Sequence, residues 1–264
     1  MAIKLIALDL DGTLLTSDKK ITTRTKDIIA RAMSRGVTVT IATGRMLRSA
    51  LYFTRLLASD APVICCNGGY VGRAEEEPVF ARYFDPALTR EFLNFAYERN
   101  WYVNWYSDID IYAPEYRAEY FTAYRTTAGF VVHEVGDDYL RYTENVPQFV
   151  LRELDAGIDA YVRTVREHFG NQLLPQQNTG TSVDINPPGV NKAVGVKALA
   201  DAMGLGLDEV MVAGDADNDY EMLEMGAFSV VPENGLPEAK ERASYVTASN
   251  DANGIALAIE KFVL

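Results

Sequence analysis

The stretch Lys4-Leu5-Ile6-Ala7-Leu8-Asp9-Leu10-Asp11-Gly12-Thr13-Leu14-Leu15 decides the fold. Ile3 to Leu8 is a short, nearly all-apolar run, the pattern of a strand buried on both faces of a parallel sheet. Burying two like charges together is costly, so Asp9 and Asp11 belong at the strand's C-terminal mouth. In open α/β sheets that mouth is where ligands bind. Two carboxylates one residue apart, followed by a Gly-Thr turn, suit a hard cation. Asp9 would give Mg²⁺ an oxygen, and Asp11 can add a backbone carbonyl. Asp9 equally suits a nucleophile, since aspartyl-phosphate is a known covalent intermediate. The alternative is a solvated strand-end turn, for which Asp and Gly are ordinary residues.

Moving outward, Thr22 or Thr23 caps a helix that Gly36 stops. Val37 to Ala42 is a β-branched strand ending at Thr43-Gly44-Arg45. A helix from Met46 to about Ala58 leads to a third strand, Pro62 to Cys66, which ends at Asn67-Gly68-Gly69. Strand, helix, strand, helix, strand with short connections predicts a doubly wound parallel sheet, an α/β class. Tyr70 to Phe84 predicts a hairpin leaving that sheet.

From about Asp85 the texture changes. Helices are expected over Pro86–Arg99, Pro114–Ala128 and Asp155–Phe169. Strands are expected over Trp101–Tyr106 and Ile109–Tyr112, around Phe130–Val135 and Phe149–Leu151, and near Leu173–Gln177 and Ser182–Ile185. Both tryptophans and most tyrosines fall here. We read residues 85–185 as an α+β module inserted into a core made of residues 1–84 and 186–264. Pro187-Pro188-Gly189 marks the return. A helix carrying Lys192 follows, then the strand Glu209–Ala213, which ends at Gly214-Asp215-Ala216-Asp217-Asn218-Asp219.

Composition narrows the function. The 264 residues can bury proper cores, and a net charge of −12 argues against nucleic-acid or anionic-membrane binding, both of which need a basic face. The two cysteines, Cys65 and Cys66, are adjacent in an apolar run and read as small core residues suited to a reducing cytoplasm. No signal segment and no run of transmembrane length is evident.

In a parallel sheet the polar strand ends converge on one edge, however far apart they lie in sequence. The chemistry they assemble is coherent. Asp9, Asp11 and Asp215 would hold Mg²⁺. Thr43 offers a hydroxyl and Gly44 a closely approaching N–H to a phosphoryl oxygen. Lys192, at a helix start that disfavours a cation unless an anion binds there, supplies positive charge for a phosphate. Phosphoryl transfer needs mainly positioning and charge neutralisation.

Asp9-Leu10-Asp11-Gly12-Thr13, Thr43-Gly44-Arg45, Lys192 and Gly214-Asp215-Ala216-Asp217-Asn218-Asp219 stand in the order of the haloacid dehalogenase (HAD) superfamily phosphatases. The chain resembles their Cof-type branch, whose large α/β cap lies between the second and third motifs. The resemblance implies that Asp9 is the nucleophile and Asp11 the general acid and then base. It implies Mg²⁺ held by Asp9, the Asp11 carbonyl and Asp215, with Asn218 and Asp219 orienting that shell or touching the phosphoryl group. Thr43 and Lys192 would grip the phosphoryl oxygens. Ala193 after the lysine, and Tyr220 after Asn218-Asp219, depart from the usual glycine and aliphatic residue.

Several positions stay open between two uses. Arg45 either faces the substrate or pairs with a core acid. Asn67-Gly68 is a tight turn or a substrate contact. Asp217 reads as a solvated acid, and His133 and His168 as ordinary polar residues. In Trp101–Tyr106 the alternation puts Trp101, Val103 and Trp105 on the cap's own core. Tyr102, Asn104 and Tyr106 then form a second packed face, an exposed sheet face, or a surface for a sugar or nucleoside. The expected activity is a Mg²⁺-dependent phosphomonoesterase acting, as a monomer, on a small phosphorylated metabolite such as a sugar phosphate. Rivals are a phosphotransferase or mutase with the same nucleophile, and a non-catalytic binding protein, which intact Asp9, Asp11 and Asp215 disfavour. A phosphonatase would want a cap lysine, and residues 85–185 contain none.

Overall fold

The first apolar run forms β1 (Leu5–Leu8), every residue of it buried. In the computed structural model, which describes residues 2–107, 110–124, 130–153, 157–179 and 181–264, α1 (Thr23–Ser34) follows. Thr22 caps that helix by accepting from the Thr25 N–H. Next come β2 (Thr38–Ile41), α2 (Leu47–Leu56) and β3 (Val63–Cys65). Then β4 (Tyr70–Gly72) and β5 (Phe80–Ala81) form the expected hairpin.

Beyond it lie α3 (Pro86–Tyr97), β6 (Tyr102–Ser107), β7 (Asp110–Ala113), β8 (Val132–Glu134), β9 (Gln148–Arg152), α4 (Ile158–Phe169), β10 (Leu174–Thr179) and β11 (Ser182–Asn186). The chain then returns through α5 (Lys192–Ala202), β12 (Val210–Ala213), α6 (Tyr220–Glu224), β13 (Phe228–Pro232), α7 (Pro237–Glu241), β14 (Tyr245–Thr247) and α8 (Gly254–Phe262).

The first and last parts of the chain share one five-stranded parallel sheet, ordered β14-β13-β12-β1-β2. Its register pairs Leu8 with both Ile41 and Ala213. The residues just beyond, Asp9, Thr43 and Asp215, therefore emerge together at one edge. Residues 102–186 build a separate six-stranded sheet, β10-β11-β9-β6-β7-β8, antiparallel except where β7 meets β8. This is the α/β fold with an inserted α+β module.

Three elements differ from the sequence reading. The third strand meets the parallel sheet only through an Ala42–Ile64 bridge, and pairs instead with β4 in an antiparallel three-stranded sheet. The helix expected over Pro114–Ala128 is, where described, a 3₁₀ stretch at Ala118–Tyr124. Tyr116 stacks on the buried Phe121 there, and an aromatic-rich segment of modest helix propensity follows its packing; residues 125–129 lie outside the described residues. The expected helix from Asp155 starts at Ile158, and residues 154–156 also lie outside them.

The inserted sheet is buried on both faces. Val103 and Trp105 pack with Phe92, Phe149 and Phe169 under α3 and α4. Tyr102 and Tyr106 pack on the opposite side, in one apolar cluster with core residues such as Met46, Leu47 and Tyr70. Period two is thus correct, and the second face is covered by the core. Arg48 of α2 also reaches across, 2.9 Å from Asp110, which holds His133 at 3.0 Å. His168 lies against Phe95.

Candidate active site

The loop after β1 is tightly folded: Leu14 N–H donates to the Asp9 carbonyl at 3.2 Å and Leu15 N–H to Leu10 at 2.8 Å. Gly12 turns with φ +88°, and a Cβ there would lie 2.3 Å from an Asp215 carboxylate oxygen. Only glycine lets the first loop and the β12 loop approach this closely. Thr13 completes the contact, its hydroxyl donating to Asp215 Oδ1 at 2.6 Å.

Lys192, the first residue of α5, is almost wholly buried. Its Nζ donates to Asp9 Oδ1 and to Asp219 Oδ1, each at 2.7 Å. Asn191 caps the helix by accepting from Val194 N–H, so the chain enters α5 at a fixed angle. Gly68 packs beneath that start with φ +90°, where a Cβ would sit 2.0 Å from the Asn191 carbonyl oxygen. Burial alone would lower the lysine's pKa, but Asp219 and then Asp9 raise it, so the ammonium stays charged.

Asp9, Asp215 and Asp219 bring carboxylate oxygens within 4.8 Å of one another. Burial pushes Asp9 well up; Lys192 opposes this, and Asp219 and Asp215 add to it. Asp215 is raised to about 6, chiefly by burial, with Asp219 adding and Thr13 opposing. Three close carboxylates beside one ammonium leave negative charge that a divalent cation would neutralise, and their hard oxygens fit Mg²⁺. Asp219 serves a second purpose. Its Oδ2 accepts from the N–H groups of Asp215 and Ala216, at 2.9 and 3.1 Å, so it braces both the lysine and the β12 loop.

The sequence reading grouped the Asp11 carboxylate with those of Asp9 and Asp215. The structure turns it the other way. Arg45 Nε and Nη2 donate to its two oxygens at 2.9 and 3.0 Å, and Lys19 Nζ donates at 2.8 Å. Burial works to raise this carboxyl, but Arg45 and then Lys19 bring it down to about 2. Without substrate, Arg45 thus makes the ion pair with a core acid, one of the two uses left open in sequence. Thr43 is buried, and its hydroxyl accepts from Arg45 N–H at 3.2 Å. A Cβ on Gly44 would lie 2.9 Å from Asn67 Oδ1.

Asn67 links the two modules. Its Nδ2 donates to Asp184 at 3.0 Å and Asn186 at 3.3 Å in the inserted sheet, and its Oδ1 accepts from Asn218 at 3.2 Å. Asp217 is exposed. Burial pushes the Cys66 thiol up, and neither cysteine is bonded. Sequence reasoning missed the roles of Thr13, Lys19, Asp184 and Asn186. The alternating polar pair Asp184-x-Asn186, on a strand of otherwise apolar inward residues, was the available signal for the last two.

The pattern for haloacid dehalogenase-like hydrolases matches residues 6–259. The chain belongs to that family. Within it, the HAD-like chain resembles the Cof-type phosphatases and is itself a phosphatase. It is 32% identical over its whole length, and all of the relative's, to a Streptococcus pyogenes protein named "Putative phosphatase M6_Spy0533". A Bacillus subtilis relative, 5-amino-6-(5-phospho-D-ribitylamino)uracil phosphatase YitU, is 27% identical, with 98% of this chain and 97% of that one covered. In fold, the HAD-like chain matches a haloacid dehalogenase-like hydrolase from Bacteroides thetaiotaomicron with a TM-score of 0.88 at 23% identity, over 98% of this chain and 99% of the other. Among the described residues no helix is long and apolar enough to cross a membrane.

Proposed function

We propose that this phosphatase is a Mg²⁺-dependent phosphomonoesterase of small phosphorylated metabolites, sugar phosphates among them, working as a cytoplasmic monomer through an aspartyl-phosphate on Asp9. The observation that carries the reading is the Asp9–Lys192–Asp219 contact, with both oxygen–nitrogen distances at 2.7 Å. It fixes one carboxylate where the sheet ends and leaves a buried cation beside it for the phosphoryl oxygens. Residues 1–84 and 186–264 form the catalytic core in this reading, and 85–185 the cap. Relatives named for a phosphorylated ribityl compound and, in Methanothermobacter thermautotrophicus, for phosphoglycolate support a small-metabolite substrate.

An Asp9 oxygen attacks phosphorus in line as the bond from phosphorus to the leaving alcohol's oxygen breaks and protonated Asp11 gives that oxygen its proton, while Lys192 and Thr43 hold the oxygens that gather charge. Asp9, Asp215 and the Asp11 carbonyl would hold Mg²⁺, which supplies Lewis-acid neutralisation of the phosphoryl charge when bound. Asn218 and Asp219 keep the β12 loop in position. Asp11, ionised between Arg45 and Lys19, is poised as the base that activates water against the aspartyl-phosphate. Acting first as an acid requires a proton. An incoming phosphate dianion competes for Arg45 and Lys19 and adds negative charge, and both effects raise the pKa of Asp11.

The test is phosphate release from a panel of sugar phosphates, nucleotides and phenyl phosphate, with Mg²⁺ and with chelator, by wild type and Asp9→Asn. Mass spectrometry of acid-quenched enzyme should find one phosphoryl group on the peptide containing Asp9. Turnover by Asp9→Asn, or no labelled peptide, would sink the reading. Faster loss of substrate than release of phosphate, on adding acceptor sugars, would turn it toward a phosphotransferase.

A further inference from the structure

Three amides and a carboxylate run in one hydrogen-bonded row from the inserted sheet to the loop after β12, and the row has a fixed direction. It starts at Asn186, whose Nδ2 donates to the backbone carbonyls of Cys66 at 2.9 Å and Pro147 at 3.1 Å. Backbone carbonyls only accept, so this end of the Asn186 amide is its NH₂, and its oxygen is left for Asn67. That oxygen accepts from Asn67 Nδ2 at 3.3 Å, and Asp184 Oδ2 accepts from the same nitrogen at 3.0 Å. With its NH₂ held by two acceptors, Asn67 has only its oxygen for Asn218. Asn218 therefore meets it with Nδ2, at 3.2 Å, and has its own oxygen turned away from Asn67.

The turn that carries Asn67 is built around this row. Cys66 and Asn67 are successive residues in the left-handed region, with φ +52° and +51°, a conformation that asparagine tolerates and cysteine rarely adopts. Such strain persists where the surroundings over-determine it. Here Cys66 N–H donates to the Arg45 carbonyl at 3.0 Å and Asn67 N–H to the Thr43 carbonyl at 3.1 Å. Gly44 between them leaves the space, since a Cβ there would lie 2.9 Å from Asn67 Oδ1 and 3.2 Å from Asp184 Oδ2. Asn67, Asp184 and Asn186 are each more than nine-tenths buried, where a donor facing a donor, or an acceptor facing an acceptor, is costly. Burial thus enforces the direction.

We infer that Asn67 is a positioning residue of the phosphoryl site. Acting through Asn218, it imposes on the β12 loop an amide orientation that Asp184 and Asn186 of the inserted module dictate. This rests on the phosphatase reading of the site. Asn218 stands three residues after Asp215 and one before Asp219, so its amide belongs to the loop that supplies both carboxylates. A module that moved off Asn67 would take away the two acceptors at Asp184 and Asn186. The Asn67 amide could then turn over and offer Asn218 an NH₂ in place of an oxygen. Seating of the module and orientation of Asn218 are therefore linked, and the row transmits a direction rather than a charge.

The test exchanges the groups at the two ends of one hydrogen bond. Asn67→Asp alone sets a carboxylate against Asp184 and the Asn186 oxygen. It should lower kcat for phenyl phosphate by about tenfold, the scale of one lost hydrogen bond. Adding Asp184→Asn faces a donor with an acceptor again and keeps an oxygen for Asn218, so the pair should recover most of that kcat. Asn67→Gly, which suits the turn's φ, should lower kcat as Asn218→Ala does, and the two combined should lower it no further than either alone. Rates are taken well below every thermal midpoint, so that lost stability by itself would not move them. Wild-type kcat in Asn67→Gly, no recovery in the exchanged pair, or losses that multiply in the combined variant would each overturn the inference and leave the phosphatase reading intact. Wild type that releases phosphate from no ester would remove that reading, and the inference with it.

Discussion

Arg45 grips both carboxylate oxygens of Asp11, at 2.9 and 3.0 Å, from a position packed against Phe53 and buried under α2. A bidentate guanidinium pair is directional as well as strong, so it sets which way the side chain after β1 points. Its removal should therefore alter both chemistry and pH response. Arg45→Ala should lower kcat/KM for every phosphomonoester by about 10²-fold or more, the usual cost of losing a donor near developing charge. Arg45→Lys should recover little of it. Equal loss of kcat in Arg45→Ala and unchanged KM would be read from steady-state kinetics; retention of full activity would refute the arrangement.

The same pair makes stability depend on acid in a definite direction. Asp11 is held at about 2 in the folded protein, against about 3.9 for an unfolded aspartate. A depressed carboxylate stabilises the fold above the unfolded value and loses that contribution as pH falls through the folded one. In urea titrations, wild type should exceed Asp11→Asn by a constant margin above about pH 4.5, and the margin should shrink between about pH 4 and pH 2. A margin that does not change with pH would refute the pairing.

Lys192 is buried between Asp9 and Asp219. Lys192→Met leaves two carboxylates without their cation, and breaking a buried pair this way costs about 3–5 kcal/mol. Calorimetry should show a large fall in thermal midpoint, partly restored by millimolar Mg²⁺ because a divalent cation relieves the same repulsion. A variant as stable as wild type without metal would contradict this.

Burial, with Asp219 adding, pushes Asp215 up to about 6 without metal. Mg²⁺ must displace that proton below this pH, so affinity should weaken by up to about tenfold per pH unit as pH falls from 6 to 5. The raised value also means that Asp215 opposes folding once ionised, an effect absent at low pH and complete above about 6. Isothermal titration across pH 5 to 8 checks the metal dependence; a flat profile between pH 5 and 6 would refute proton displacement from Asp215 by the metal.

Gly68 supports the start of α5 from below, and a Cβ would press into the Asn191 carbonyl at 2.0 Å. Gly68→Ala should cost more than about 1 kcal/mol from backbone strain alone, and should also lower kcat by displacing Lys192. Gly36→Ala, a positive-φ glycine with open space around it, gives the strain without the displacement and should keep its activity.

Much of this was legible in the chain. The apolar run of β1, the Thr22 cap and the strand-end motifs depend on neighbours within a few residues, and periodicity with turn chemistry reports those directly. The parity of Trp101–Tyr106 was equally readable, since a strand's alternation holds whatever covers it. What covers it was not readable, because an apolar face carries no record of its partner.

The sequence by itself determined which carboxylates, hydroxyl and lysine reach the mouth of the parallel sheet, since strand ends and helix starts are local properties. Tertiary structure decided how those groups are shared. Asp11 turns to Arg45 and Lys19 while Asp219 joins Asp9 and Asp215, because Arg45 and Lys19 supply the cations on one side of the loop and Lys192 supplies the one on the other. Asn67 meets Asp184 across 117 residues because the inserted sheet packs its polar edge onto that turn. Pairings over such distances follow from register and packing between modules, which no local pattern encodes.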